Sequence, residues 1–195
     1  MVKHVILWNL KEEYSAAEKE EIKKNIKAGI ESLNGKIPGL IDIHAHGYNG
    51  KHTPECTYEE HNVLCSEVIK QGITGMLATT SSMTKEQYKF AVTTAKEAME
   101  KGTDGTEILG IYLEGPYLNA EFKGGMIEKN IRKFDKDEFL EIVKLSGNNV
   151  KIITIAPEIE GNLDGIKTIV ESGVIASIGH TAATADEAVA GIEAG

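Results

Sequence analysis

From residue 38 onward the chain repeats one pattern: a short apolar run, then a longer polar stretch whose apolar residues recur every three or four positions. The runs at 39–43, 73–78, 108–113, 150–156 and 174–178 predict strands. The stretches at 59–70, 85–101, 136–145, 163–171 and 185–193 predict helices. Thr57 with Glu60, Thr84 with Gln87 and Thr184 with Glu187 are spaced as capping boxes, in which each side chain satisfies a free backbone N–H of the other residue. Asp135 with Glu138 is a looser form, with a carboxylate as the cap. Ahead of these units, 2–10 predicts a strand. Ser15 with Glu18 opens a helix that carries Ile22, Ile26, Ile30 and Leu33 and ends near Asn34-Gly35.

Strand and helix alternate five times, and the strands are continuously apolar rather than alternating. That combination predicts an α/β fold with a parallel sheet covered on both faces. The expected architecture is a partial TIM-type (β/α) barrel of about five βα units, preceded by one strand and one helix. A closed barrel of this type has eight units and about 250 residues, so 195 residues are expected to hold a little over half of one. Its fifth strand is then an edge that needs cover from another element or chain. The change of pattern divides the chain into a strand–helix segment, 1–37, and a barrel segment, 38–195. No short-period repeat suggests a solenoid.

Composition narrows the partners. A formal charge of −9 with no tract rich in Lys or Arg argues against nucleic acid and against an anionic membrane surface. No apolar stretch approaches the roughly 18 residues of a membrane span, and the N-terminus lacks a signal-peptide pattern. The cytoplasm is therefore the expected compartment. Two cysteines, Cys56 and Cys65, are expected to be reduced thiols rather than a disulfide.

Three predicted strands close on residues that bind metal ions: His44-Ala45-His46, Leu113-Glu114-Gly115-Pro116 and Gly179-His180-Thr181. Carboxyl ends of parallel strands are where such barrels keep their chemistry. His44 and His46, two apart on a strand, project to the same face within reach of one ion, and neutral imidazole is a common ligand for divalent metals. The plainer reading makes them polar residues at a strand end. Glu114 ends so apolar a strand that burying it unpaired is costly; a nearby cation offsets the cost, and escape to solvent avoids it. His180 gains meaning only if the barrel brings it to the same mouth. Asp42 is either an acceptor that orients a ligand histidine or a partner of the local backbone.

Other candidates are weaker. His4, His52 and His61 read as surface or packing residues. Glu158 either borders the site or faces solvent. Lys123 and Arg132, in the long loop after Glu114, either meet an anionic substrate or are solvated, and the hydroxyls of Thr79, Thr80, Ser81 and Ser82 read as a strand-to-helix turn. With no nucleophile elbow, phosphate loop or dinucleotide fingerprint, the expectation is metal-assisted hydrolysis.

These residues lie in stretches that resemble the N-acetylglucosamine-6-phosphate deacetylases of the amidohydrolase superfamily. The matching segments are Pro38-Gly39-Leu40-Ile41-Asp42-Ile43-His44-Ala45-His46-Gly47, Gly72-Ile73-Thr74 with Thr79-Thr80, Leu113-Glu114-Gly115-Pro116-Tyr117-Leu118 with Lys123-Gly124, Ile155-Ala156-Pro157-Glu158, and Ser177-Ile178-Gly179-His180-Thr181 with Ala183-Thr184. The resemblance implies a cytoplasmic, usually dimeric enzyme that releases acetate from an amino-sugar phosphate. It carries Glu114 and His180 over as ligands of a principal divalent metal, and His44 and His46 as ligands of a second. Zinc is the first expectation for the ion, with iron or manganese as alternatives. The resemblance places the general-base Asp and a further ligand His outside these 195 residues. Met126 departs from the pattern, because many relatives have a substrate-binding histidine there. Residues 1–37 instead resemble the start of a stress-responsive A/B barrel domain. The alternative from a different class is a non-catalytic α/β protein that associates through its N-terminal strand or open sheet edge.

Overall fold

The computed structural model describes residues 15–31 and 39–195. The strand expected at 2–10 and the boundary expected at 37/38 lie outside the described residues. The elements are α1 (Ala16–Glu31), β1 (Leu40–Ala45), β2 (Gly47–Tyr48), β3 (Lys51–His52), α2 (Tyr58–Val68), β4 (Ile73–Thr79), α3 (Lys85–Lys101), β5 (Glu107–Leu113), α4 (Lys136–Leu145), β6 (Val150–Ile155), α5 (Asn162–Glu171), β7 (Ile175–Ile178) and α6 (Ala185–Ala194). The four Ser and Thr caps form as expected. Thr57, Thr84 and Thr184 close full capping boxes, and the Ser15 and Glu18 side chains each accept the other residue's N–H, at 3.3 and 2.8 Å. Asp135 caps α4 through Glu138 N–H, but the Glu138 carboxylate does not return to the cap. It is held by Arg132 instead.

Five strands form one parallel sheet in the order β1-β4-β5-β6-β7, curled into a half-barrel. Parallel pairing puts every strand's carboxyl end at the same rim, which is how residues far apart in sequence meet there. The helices pack one face. Tyr88, Ala91, Val92 and Ala95 of α3, Phe139 and Ile142 of α4, and Ile166 and Ile169 of α5 join Met76, Ile111, Leu113, Ile153 and Ile155 of the sheet in one core. The Tyr88 hydroxyl meets the Ser81 carbonyl at 2.8 Å, so its ring is fully buried without an unpaired polar atom.

The expectation of a sheet covered throughout holds for β4, β5 and β6 but not for the outer strands. Among the described residues β1 and β7 each have a neighbour on one side only, and Ile41, Ile43 and Ile175 are 59%, 55% and 62% exposed. A short antiparallel hairpin of β2 and β3 follows β1. Its turn residues Asn49 and Gly50 both have positive φ, the requirement of a tight hairpin turn that Asn-Gly meets. Cys56 and Cys65 are buried, free thiols. Burial pushes both up to about 11, leaving them protonated and unreactive near neutral pH. Among the described residues no helix is long and apolar enough to cross a membrane.

Candidate metal centre

The end of β1 is fixed by hydroxyls of its neighbours. Ala45 N–H donates to Thr79 Oγ1 at 3.0 Å. Thr53 donates from its hydroxyl to the Thr79 carbonyl at 2.7 Å and from its backbone to the His46 carbonyl at 2.8 Å. Asp42 takes the local role of its two alternatives: its carboxylate accepts the His44 backbone N–H at 3.0 Å, so it holds the strand end rather than an imidazole.

His44 and His46 then project together, with their Nε2 atoms 3.2 Å apart. Glu114, leaving the end of β5 with its side chain 12% exposed, places Oε1 3.1 Å from His44 Nε2 and Oε2 2.9 Å from His46 Nε2. His44 also rests edge-on against the Tyr112 ring, with centroids 4.7 Å apart. Burial alone would push the Glu114 carboxyl up, but the two imidazoles override it and hold the group far below the usual carboxylate range. Its hydrogen bond in turn raises His44 above the ordinary histidine value.

His180, just beyond β7, brings Nε2 to 3.2 Å from Glu114 Oε1. The other ring nitrogen, Nδ1, lies 2.8 Å from the Phe122 carbonyl oxygen. A carbonyl only accepts, so Nδ1 carries the proton, and in the neutral ring Nε2 then presents a lone pair to a carboxylate that also only accepts. Two lone pairs face one another comfortably only when a cation lies between them or a further proton is bound. His180 has φ +48°, a left-handed conformation uncommon outside glycine that costs on the order of 1–3 kcal/mol unless its surroundings enforce it. Two ligands at about 2.1 Å from one ion stand about 3–3.5 Å apart, the spacing found among these atoms. His44, His46 and Glu114 form a cluster that fits a divalent metal ion, each offering a ligand atom within 4.8 Å of the others.

A cleft of about 490 Å³ adjoins the cluster, lined by His46, Glu114 and His180 together with Met83, Lys123 and Met126. Among the described residues Lys123 forms no salt bridge. Arg132 does not meet the cleft: it pairs with Glu138 and donates to the carbonyls of Met83 and Asn130 at 2.9 and 2.6 Å. Its role is structural. Met126 is buried, and its sulfur accepts the Ser82 N–H at 3.2 Å. His52 lines the cleft and pairs with Glu55 at 3.4 Å, whereas His61 is a fully buried packing residue with neither ring nitrogen bonded. Glu158 is partly exposed, and its carboxylate is hydrogen-bonded to two other loops rather than simply solvated. Its Oε1 accepts from Asn119 Nδ2 at 2.9 Å and from Ala182 N–H at 2.7 Å, and its Oε2 from the Thr181 hydroxyl. Burial pushes its carboxyl up, and these hydrogen bonds outweigh that and hold it below the usual value. Nothing near Glu158 in sequence signals those partners, which lie on other loops.

The profile of the Amidohydrolase family matches residues 36–195. The chain belongs to the amidohydrolase family. It is 34% identical over 166 residues to N-acetylglucosamine-6-phosphate deacetylase of Bacillus subtilis (strain 168), an alignment that covers 84% of this chain and 41% of that one. The crystal structure of N-acetyl-D-glucosamine-6-phosphate deacetylase from Mycobacterium smegmatis superposes with TM-score 0.76 at 31% identity, covering 82% of this chain and 41% of that one. The enzyme of the same name from Thermotoga maritima gives TM-score 0.72 at 33% identity, again covering 82% and 41%. This amidohydrolase chain thus spans about 41% of the length of such relatives.

Proposed function

We propose that the chain contributes to a metal-dependent hydrolase of the N-acetylglucosamine-6-phosphate deacetylase type, which releases acetate from N-acetyl-D-glucosamine 6-phosphate in the cytoplasm. The observation that carries this reading is the convergence of His44, His46 and His180 on the Glu114 carboxylate at the rim of the half-barrel. His44, His46 and Glu114 would hold one ion, and Glu114 with His180 would serve a principal ion, with zinc as the first candidate and iron or manganese as alternatives. A bound divalent ion would activate water and polarise the amide carbonyl.

The chain's own residues shape the site around that ion. Glu114 provides the anionic charge of the ligand set, and Phe122 fixes the His180 ring so that Nε2 is free to coordinate. Lys123 lines the cleft, has no carboxylate partner among the described residues, and is the cation best placed for the substrate's phosphate. The proton-transfer carboxylate is assigned to a segment outside these residues. Residues 38–195 are read as the barrel segment and 1–37 as a separate strand–helix segment.

A second reading, association through the outer strands, is supported by the exposed Ile41, Ile43 and Ile175. Metal content per chain after purification without chelator, paired with acetate release from N-acetylglucosamine 6-phosphate, tests both. Near-stoichiometric divalent metal is expected. A folded chain without metal affinity would overturn the hydrolase reading in favour of association, which a concentration-dependent sedimentation coefficient would then show.

A further inference from the structure

We propose that Glu158 is a positioning residue for this centre: a single carboxylate pins together the two loops that hold His180 and thereby aims its Nε2 at Glu114. The inference deepens the metal-centre reading and rests on it. Glu158 follows the end of β6 and does not line the cleft.

The connections run in two directions from its two oxygens. Toward the loop after β7, Glu158 accepts from the Thr181 hydroxyl and the Ala182 N–H, the two residues that follow His180. Thr181 Oγ1 in turn accepts from Ala183 N–H at 2.9 Å, which fixes the loop's course into α6. Toward the loop after β5, Glu158 accepts from Asn119 Nδ2. Asn119 N–H donates to the His180 carbonyl at 2.9 Å. Asn119 Oδ1 caps the turn Ala120–Phe122 by accepting Glu121 N–H at 2.9 Å, and that turn presents the Phe122 carbonyl to His180 Nδ1. Both the backbone of His180 and the acceptor for its ring are therefore tied to one side chain. Enforcement of this kind is what a left-handed non-glycine residue needs to persist.

Charge type explains why the residue is a glutamate. Three donors converge on it, and an ionised carboxylate offers acceptors only, whereas an amide turns one end into a donor. Charge-assisted bonds are also the shorter and stronger ones. The nearly isosteric Glu158→Gln keeps the volume and an acceptor for Asn119 and Ala182, but it sets an NH₂ donor against Thr181 Oγ1, whose hydroxyl must turn from donor to acceptor, and it removes the charge from all three bonds.

The test uses the full chain in two measurements. Cobalt(II) titration followed by visible absorption reports ligand geometry and affinity, and metal-free long-range ¹H–¹⁵N spectra report which His180 nitrogen carries the proton. Glu158→Gln is expected to leave the far-UV spectrum unchanged and weaken cobalt binding about 10- to 100-fold, the usual effect of losing an outer partner of a ligand. It is also expected to loosen the loop that presents the Phe122 carbonyl, so that His180 no longer shows the Nδ1–H form alone. Glu160→Gln, a nearby exposed carboxylate paired with Lys133, is expected to do neither. In a His180→Ala background, Glu158→Gln should add no further loss. Wild-type cobalt affinity with an intact Nδ1–H form, or a full extra loss without the His180 ring, overturns the proposal. Should the wild-type chain take up no cobalt, the metal-centre reading fails, and the metal-free spectra alone then support or overturn the role of Glu158.

Discussion

Arg132 Nε donates to Glu138 Oε2 at 3.0 Å, and its Nη2 meets Oε1 of the same carboxylate, which is 2% exposed. This two-pronged pair draws Glu138 away from the capping box that its spacing from Asp135 suggests, and it ties the loop after β5 to α4. Removing one partner of a buried pair leaves an uncompensated charge and costs about 3–5 kcal/mol. Because Arg132 is partly exposed and Lys85 Nζ also lies 3.8 Å from Glu138 Oε2, Arg132→Met is expected to cost about 3 kcal/mol, the lower end of that range. The double change Arg132→Met with Glu138→Met should recover most of the loss. Urea unfolding of the three variants measures it, and an Arg132→Met chain as stable as wild type would count against the pair.

The same pair shows where local sequence stops being informative. Thr57, Thr84 and Thr184 meet partners three residues away, so their boxes and the helix starts were legible. The strand ends were legible for a similar reason, since continuous apolar runs stop where the sheet does. The β2–β3 hairpin was not anticipated, although Asn49-Gly50 carries its signal. His44, His46, Glu114 and His180 could be named from strand-end position, but their mutual distances required the parallel topology. Glu158, Arg132 and Asp42 needed more still: each has alternatives that only the position of other loops decides. Asn119 lies 39 residues before Glu158 and Thr181 lies 23 after it, separations at which no periodicity speaks.

His61 supplies a pH dependence unconnected with the metal centre. It is fully buried with neither ring nitrogen bonded, and burial lowers it from 6.5 to about 4. Between those values the unfolded chain binds a proton that the native chain refuses. Its contribution is therefore complete above pH 6.5 and is lost as the pH falls toward 4. A shift of this size corresponds to about 3 kcal/mol over that window. His61→Leu, similar in volume and without polar atoms, should flatten stability between pH 6.5 and 4 and leave it no lower at pH 7. An unchanged acid limb in denaturation profiles would show that other groups set it.

Glu114 is expected to act oppositely with and without metal. In the metal-free chain its hydrogen bond raises His44, so this contribution to stability is present below the unfolded histidine value near 6.5 and is lost as the pH rises through the elevated folded one. Metal binding needs neutral imidazoles and so strengthens as the pH rises. Glu114→Gln should bring His44 back toward its ordinary value in an NMR titration. It should also weaken divalent metal by more than the roughly 10- to 100-fold typical of an outer-shell loss. Retention of full metal affinity would remove Glu114 from the ligand set.

Gly115 sets the direction in which the chain leaves Glu114. Its φ is +102°, and a Cβ built there would lie 2.5 Å from the buried Ser82 hydroxyl oxygen. Alanine therefore meets two obstacles at once, a backbone region that side chains rarely adopt and an atom with little room to move. Strain at such a position costs on the order of 1–3 kcal/mol, so Gly115→Ala should lower the melting temperature by several degrees. Any relief by rotation of the backbone moves the adjacent Glu114 carboxylate off the two imidazoles, and cobalt affinity should fall with stability. Adding Ser82→Gly to Gly115→Ala separates the two causes: it removes the closest contact, leaving Leu118 Cδ1 at 3.1 Å and the backbone strain, so partial recovery is expected. A Gly115→Ala chain that melts and binds cobalt like wild type would show that this turn does not govern the placement of Glu114.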